Sequence, residues 1–254
     1  MGMDKHRWGG RNSLKDTLRN EIWKKLESSG AAIGNPWSKI PNFDGSQEAA
    51  LRLTELDFWQ SARVVKSNPD SAQAWVRLYA LQAGKMVFTP VPELTKDFPF
   101  LLLDPEDLSR KGIAFEQVMY SDGAVLHGQR VDFNQMEPMD ICVVGSVAAS
   151  IDGGRTGKGG GFADLEMGVF RSVGTLSDEC PVVTTVSEIQ IVENGDITLE
   201  EHDTPMDWVI TPKRSIETKT SLHKPGPIDW TSMQEDQFIN IPFLEKLKNE
   251  LSNN

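Results

Sequence analysis

The sequence predicts an α/β protein with a parallel sheet, and three observations lead to this fold class. Residues 141–149 form a short apolar run rich in β-branched residues, which is typical of a strand buried on both faces. Short strands at 63–66 and 85–89 enclose a helix, and such a unit implies two parallel strands with a right-handed crossover. Residues 162–173 place apolar side chains at helical spacing, and Gly174 follows as a C-terminal cap.

The N-terminal half alternates helices with these strands. Ser13 is the predicted N-cap of a first helix, with Asp16 in the matching position of a capping box. One apolar stripe supports this helix: Leu14, Leu18, Ile22 and Leu26. A second helix is expected over 46–61. The turn at 68–71 leads into the helix of the strand–helix–strand unit, which stops at Gly84.

The remaining chain predicts more strands and a C-terminal extension. Residues 91–135 are expected to be mixed loops with one short helix at 105–110, and buried strands are expected at 181–186 and 207–211. Three parts are therefore expected: a disordered segment 1–12, a main α/β domain 13–218, and an extension 219–254 that packs on it and ends in a helix at 241–251.

The bulk composition excludes some functions. The chain has 254 residues and a formal net charge of −11, which argues against nucleic acid as a main partner. Its two cysteines, Cys142 and Cys180, lack metal-ligand spacing and fit a reducing compartment, with Cys142 as an apolar filler of the buried strand. Residues 1–12 do not read as a signal peptide, and the apolar runs are shorter than a membrane span. We therefore expect a cytoplasmic protein, as a monomer or small homo-oligomer, that does not act at a membrane.

A glycine-rich loop at 153–164 is the most informative stretch. It places six glycines, Arg155, Lys158 and Asp164 between the strand 141–149 and the helix from Phe162. Glycines let the backbone approach a ligand closely, and a helix start adds unpaired N–H groups and the positive end of the helix dipole. The loop therefore predicts a phosphate site. The alternative is a flexible surface loop, which leaves two cations among the glycines unexplained.

The loop departs from the familiar phosphate-binding motifs. A Walker loop needs a glycine where Asp152 stands and a hydroxyl residue where Gly159 follows the lysine. The dinucleotide fingerprint needs an acidic residue at the end of a second strand about 20 positions on, which is missing. Asp164 is the candidate magnesium ligand, because a hard cation accepts a carboxylate together with phosphate oxygens.

Two further sets of polar residues are candidates for a site. Lys15 and Arg19 are like charges four residues apart on the first helix, which favours an anion between them, although a solvated helix face explains them equally well. The four histidines show no metal-ligand spacing, and the adjacent pair His202 and Asp203 favours a structural role, because neighbouring residues rarely converge on one ion.

Taken together, these residues resemble the 5-formyltetrahydrofolate cyclo-ligase family over about 13–218. The matching motifs are Lys-Asp-Thr-Leu-Arg at 15–19, Arg155 with the glycine run to Asp164, and Glu-His-Asp at 201–203 followed by 207–211. The sequence is most similar to the methenyltetrahydrofolate synthetase domain-containing branch of that family. Four segments favour that branch: Ile-Pro-Asn-Phe at 40–43, Asn-Pro-Asp at 68–70, Val-Gly-Ser-Val at 144–147 and Gly-Phe-Ala-Asp-Leu-Glu at 161–166.

The resemblance implies a mostly parallel sheet sandwiched by helices, a fold shared with sugar-phosphate isomerases and CoA transferases. It also implies that ATP and Mg²⁺ act with a reduced folate, 5-formyltetrahydrofolate, to give the 5,10-methenyl product. By position, Lys15 and Arg19 would hold ATP phosphates, and Asp164 would ligate magnesium. The implied cradle for the transferred phosphoryl group is Arg155, Gly157, Lys158, Gly159, Gly160 and Gly161.

The folate side of the implied site departs from the family pattern. Family enzymes have two tyrosines before the aspartate, where this chain has Phe162 and Ala163, and Asp70 stands near a substrate-contacting glutamate. Asp70 and Phe162 are the expected substrate contacts. The alternative function is a nucleotide-binding paralogue without cyclo-ligase activity, which acts on another heterocycle or serves as a binding or regulatory protein.

Overall fold

The computed structural model describes residues 9–94, 99–231, 233, 238–239, 241 and 243–252. Its centre is an eight-stranded sheet in the order β11-β10-β8-β5-β1-β2-β3-β4. The five strands from β10 to β2 are parallel, and the three others are antiparallel strands at the two edges. The strands of this sheet are β1 (Val64–Ser67), β2 (Met86–Pro90), β3 (Phe100–Leu103), β4 (Gln129–Val131), β5 (Ile141–Val144), β8 (Val182–Thr185), β10 (Trp208–Ile210) and β11 (Ser215–Glu217).

Helices cover both faces of this sheet, as an α/β fold requires. Successive strand residues point to opposite faces, so Val65, Val87 and Val143 enter one core while Val64 and Phe88 enter the other. The described helices are α1 (Ser13–Ser29), α2 (Ser46–Thr54), α3 (Asp57–Ser61), α4 (Ala74–Gln82), α5 (Pro105–Arg110), α6 (Phe115–Val118), α7 (Ser121–His127), α8 (Phe162–Ser172) and α9 (Leu244–Ser252). The predicted mostly parallel sheet between helices is confirmed.

A second, three-stranded sheet lies beside the first. It has the order β7-β6-β9 and contains β6 (Ala148–Ser150), β7 (Arg155–Thr156) and β9 (Ile191–Val192). Helix α1 packs against this second sheet: its residues Ile22 and Leu26 belong to one buried cluster with Val147 and Ala148. The N-terminal helix is therefore held next to the strand that enters the glycine loop.

Several predicted elements need correction. Residues 141–149 are not one strand: β5 ends at Val144, and the chain enters the second sheet after Gly145, where a Cβ would lie 2.8 Å from Cγ2 of Ile40. The helix expected over 46–61 is two helices, because Leu56 is extended (φ −83°, ψ 144°). The N-cap of α1 is Asn12 rather than Ser13, and its side chain accepts the backbone N–H of Lys15.

The region 91–135 holds more structure than expected. Besides α5 it forms β3, β4, α6 and α7, and the two strands extend the sheet in antiparallel fashion. These short strands lack the period-2 alternation of a longer strand, since Phe100, Leu101 and Leu103 are all buried. The apolar run at 100–103 is consistent with a buried strand, but periodicity alone does not separate such a short run from other buried segments.

The terminal segments can be followed only in part. Of residues 1–12, which we expected to be disordered, 1–8 lie outside the described residues, and 9–12 make contacts given below. In the expected extension 219–254, Ile241, Leu244 and Leu247 are buried in the core that α8 also joins. Among the described residues, no helix is both long and apolar enough to cross a membrane.

Cys142 lies in β5 and is completely buried. Burial raises the pKa of its thiol to about 11, which leaves the thiol protonated at neutral pH. Its sulfur lies 3.3 Å from that of Met167 in α8. Cys142 thus behaves as an apolar side chain between the sheet and α8.

A buried ion pair joins β1 to α8 on the side of the sheet where Val64 and Phe88 are buried. Lys66 Nζ lies 2.6 Å from Glu166 Oε2, and the two side chains are 0% and 3% exposed. Lys66 also donates to Asn68 Oδ1 at 3.0 Å. Two charges taken out of water gain little net stability as a pair. Removing one partner, however, leaves the other charge buried where water cannot solvate it.

We expect Glu166→Leu to destabilise the protein by about 3–5 kcal/mol, because it leaves the Lys66 ammonium buried without its partner. The double variant Lys66→Met with Glu166→Leu should recover most of that loss, since both charges are then replaced by apolar side chains. Urea unfolding at pH 7 measures both. A double variant as unstable as the single one would contradict this account.

Candidate functional site

A cavity of about 950 Å³ opens at the carboxyl ends of β1 and β5. This is where ligands bind in open α/β sheets, because the loops that follow parallel strands meet at that edge. Four regions that are distant in the sequence line it: the start of α1, residues 68–70 after β1, the glycine loop with the start of α8, and residues 200–203. Residues 223–229 of the C-terminal segment complete the lining.

The glycine loop runs from β7 into α8, and its shape depends on glycine. Gly159 and Gly161 have φ of +107° and +71°, which L side chains rarely adopt. A Cβ on Gly160 would lie 2.4 Å from the Phe162 ring. Gly161 is the N-cap of α8 and has no side chain to cap it, so the first N–H groups of the helix are left to other acceptors.

A buried ion pair fixes this loop at its base. Arg155 Nη2 lies 2.5 Å from Asp164 Oδ2, and Arg155 Nη1 donates to the Gly145 carbonyl at 3.0 Å. Thr204 N–H donates to Asp164 Oδ1 at 3.0 Å. Burial alone would lower the pKa of Arg155, but Asp164, together with Asp203 and Glu166, outweighs burial and raises the pKa above the usual value. Arg155 therefore stays charged beside the cavity.

Helix α1 directs its two predicted cations at the same place. Arg19 Nε donates to the Gly157 carbonyl at 2.7 Å, and its Nη1 lies 2.6 Å from Asp16 Oδ1. Lys15 forms an ion pair with Asp203 and a second with Glu200, at 3.2 Å. Both cations are thus buried at the glycine loop rather than on a solvated face, and the anions beside them in the protein itself are carboxylates.

Residues just before α1 also reach the loop. Arg11 Nη1 donates to the Gly160 carbonyl at 3.1 Å, and Asn12 Nδ2 donates to Glu200 Oε1 at 3.3 Å. Sequence reasoning assigned neither residue to the site. An Arg-Asn pair ahead of a helix gives no local signal of a contact with a loop about 150 residues away.

The predicted substrate residues, Asp70 and Phe162, come from two different segments, the turn after β1 and the start of α8. Phe162 lies under Lys158, whose Nζ is 5.7 Å from the ring centre, and both line the cavity with Asp70. Burial raises the pKa of Asp70, although Lys158 and Arg77 oppose the rise. The structure thus brings together every residue that the sequence assigned to the site.

Arg77, which sequence reasoning missed, holds the Asp70 loop in place. Its guanidinium donates to the carbonyls of Asn68, of Pro69 and Asp70 at 3.2 Å each, and of Met119 at 2.6 and 2.9 Å. Arg77 is completely buried, and burial lowers its pKa to about 10 against the opposing effect of Asp70. A lone arginine in an apolar helix was the only signal in the sequence.

An acidic cluster after β9 also borders the cavity. Asp203 is 8% exposed and accepts the Glu200 N–H at 2.7 Å as well as the Lys15 ammonium. Ligand atoms of Glu200, His202 and Asp203 lie within 4.8 Å of one another. The structural role expected for His202 and Asp203 stays a prediction, and both residues line the cavity.

The described cavity lining is nearly neutral in charge. Five of its residues are cations and six are carboxylates, although the cations concentrate at α1 and the glycine loop. Three of these cations, Lys15, Arg19 and Arg155, form ion pairs with carboxylates of the protein itself. Such a site favours an anion whose charge is partly neutralised by a metal ion.

The fold and the site together define an α/β protein whose glycine loop, cation pair and carboxylates surround one cavity at the carboxyl edge of the sheet. The sequence model of the 5-formyltetrahydrofolate cyclo-ligase family matches residues 11–212. The chain belongs to this family, as the motifs predicted.

Curated relatives carry the name methenyltetrahydrofolate synthase domain-containing protein. The human protein is 35% identical over 236 residues, and the bovine protein is 34% identical over 238. These alignments cover 92% and 93% of this chain but only 61% and 62% of the relatives, so the chain spans about three fifths of their length.

A solved structure supports the fold. The NMR structure of Aquifex aeolicus 5,10-methenyltetrahydrofolate synthetase has a TM-score of 0.51 to this chain at 16% identity. The match covers 83% of this chain and 95% of that protein. At this identity the likeness shows a shared fold.

We expect Arg77→Met to destabilise the protein by about 3 kcal/mol or more, because it leaves four buried carbonyl groups without their charged donor. Arg110→Met is the matched control, since Arg110 is exposed and makes one long ion pair, and it should change stability by less than about 0.5 kcal/mol. Urea unfolding measures both. Equal effects of the two substitutions would contradict the role given to Arg77.

Proposed function

We propose that this protein binds MgATP with the phosphates on the glycine loop and acts as a 5-formyltetrahydrofolate cyclo-ligase. The loop is the observation that supports this most directly. It places Lys158 and the start of α8 at the cavity, with Arg155 and Arg19 fixing its base. Family membership supports a reduced folate as the second substrate.

The residues present fit a magnesium ion. Asp164 and Asp203 both line the cavity, and carboxylate oxygens together with phosphate oxygens are the ligands that Mg²⁺ prefers. Each carboxylate already accepts hydrogen bonds, but a carboxylate oxygen offers more than one acceptor direction. We therefore propose Asp164 as the magnesium ligand, with Asp203 as a second carboxylate in the same cavity. When bound, the ion would neutralise part of the phosphate charge.

The proposed reaction makes few chemical demands on the protein. The formyl oxygen on N5 of the folate takes the terminal phosphoryl group of ATP, and ADP leaves. N10 then attacks the formyl carbon, loses its proton, and inorganic phosphate departs with the former formyl oxygen. Such a transfer depends on alignment and charge stabilisation, which Lys158, Arg155 and the backbone N–H groups at the start of α8 supply.

A second function rests on the composition of the folate side. Ala163 stands where family enzymes carry a tyrosine, and it lines the cavity beside Phe162 and Leu165. The apolar wall there lacks the phenol hydroxyl that would hydrogen-bond a substrate. The alternative is therefore a nucleotide-binding paralogue that acts on another heterocycle or serves as a binding or regulatory protein.

We expect Lys158→Ala to weaken MgATP binding at least about tenfold, because a charge-assisted contact contributes about 1.5–3 kcal/mol. Arg19→Ala should have a similar effect. Lys25→Ala is the control for α1, since Lys25 is exposed on the same helix. Isothermal titration calorimetry measures all four proteins, and a repeat in EDTA tests the need for magnesium. Unchanged affinity in Lys158→Ala would remove the glycine loop from the phosphate site.

Cyclo-ligase activity is measured from the near-ultraviolet absorbance of the methenyl product with purified protein, 5-formyltetrahydrofolate and MgATP. If the folate is the substrate, Phe162→Tyr with Ala163→Tyr should raise turnover up to about tenfold, the value of one restored hydrogen bond. Phe162→Tyr alone is the control. Absent turnover in both the wild type and the double variant, with MgATP binding intact, would favour the paralogue.

A further inference from the structure

The C-terminal segment 223–229 lies outside the residues matched by the family model, which end at 212. Six of its seven residues nevertheless line the ligand cavity. They are His223, Pro225, Gly226, Pro227, Ile228 and Asp229. A part of the chain that the family pattern does not include therefore borders the cavity of the family domain.

Two anchors hold this segment, and neither anchoring side chain lines the cavity. Before the prolines, Lys224 Nζ lies 2.9 Å from Asp207 Oδ1 and donates to the Asp178 carbonyl at 3.1 Å. After them, Ile228 N–H donates to Ser172 Oγ, at the end of α8, at 2.9 Å. Between the anchors, Pro225 and Pro227 restrict the backbone, so the segment crosses the cavity as a stiff wall.

Gly168 provides the space for this crossing. It lies in the interior of α8, where glycine costs about 1 kcal/mol relative to alanine. A Cβ on Gly168 would lie 3.4 Å from Cα and 3.5 Å from Cβ of Ile228. An alanine at position 168 would make ordinary van der Waals contact with Ile228. We expect a longer side chain to move Ile228 away from α8.

The wall packs against α8 beyond Asp164, the proposed magnesium ligand. Gly168 is four residues beyond Asp164 along α8, about 6 Å further along the helix axis. Ile228 packs against the same core as Phe162 and Ala163, so the surfaces that meet here are apolar. An apolar wall in the same cavity as the half-buried carboxyl group of Asp70 suits a flat heterocycle with polar edges.

We propose that residues 223–229 form the wall that selects the heterocyclic ring of the second substrate, the pterin of a reduced folate. This inference rests on the proposed function, since it assumes that the nucleotide occupies the glycine loop. The wall does not contact the transferred phosphoryl group. It determines how wide the slot is and therefore which ring fits.

The test compares Gly168→Leu with Gly168→Ala in the full chain. Calorimetry gives the Kd of 5-formyltetrahydrofolate in the presence of Mg²⁺ and a non-hydrolysable ATP analogue, and separately the Kd of the nucleotide analogue. We expect Gly168→Leu to change the folate Kd at least about fivefold, in either direction, and the nucleotide Kd less than twofold. Gly168→Ala should resemble the wild type in both.

A second variant covers the case in which Gly168→Leu does not fold. Lys224→Met with Ser172→Ala releases both anchors without changing a residue that lines the cavity, and it should shift the folate Kd in the same way. The proposal for the wall would be overturned if all variants bind the nucleotide and share the same folate Kd. It would also be overturned if all of them bind the nucleotide and none binds the folate. If the wild-type protein does not bind the nucleotide analogue, the proposed function itself would be overturned instead.

Discussion

The ion pair between Arg155 and Asp164 is the interaction on which the site depends. It joins the strand that enters the glycine loop to the first turn of the helix that leaves it, so both ends of the loop are fixed by one contact of 2.5 Å. Arg155 also reaches the Gly145 carbonyl beyond β5, and Asp164 accepts the Thr204 N–H. The main sheet, the second sheet, α8 and the segment that contains Asp203 therefore meet at two side chains.

The site supplies its own counter-ions before any ligand arrives. Lys15 is neutralised by Asp203 and Glu200, and Arg19 by Asp16, so each buried cation has a carboxylate partner within the protein. In the function we propose, the ATP phosphates would compete with these carboxylates for the cations. The proposed magnesium ion would reduce this competition, because it would bind carboxylate and phosphate oxygens together instead of letting them repel each other.

The sequence allowed much of the site to be predicted because its residues are either contiguous or regularly spaced. The glycines, Arg155, Lys158 and Asp164 occupy one loop between a strand and a helix, and Lys15 and Arg19 recur on one helical turn. The residues that were missed have no such local pattern. Arg77 bonds to carbonyls before and after its own helix, and Arg11 reaches Gly160, so only folding reveals their partners.

The sequence by itself determined the α/β class, the buried parallel strands and the candidate phosphate loop, because hydrophobic periodicity and glycine content act over a few residues. Tertiary structure decided where 141–149 divides between two sheets. At the break, Gly145 lies against the side chain of Ile40, about 100 residues earlier, where a Cβ would not fit. It also decided that Asp203 and residues 223–229 border the cavity. Contacts between segments far apart in the chain depend on how the whole sheet packs, which a local pattern does not encode.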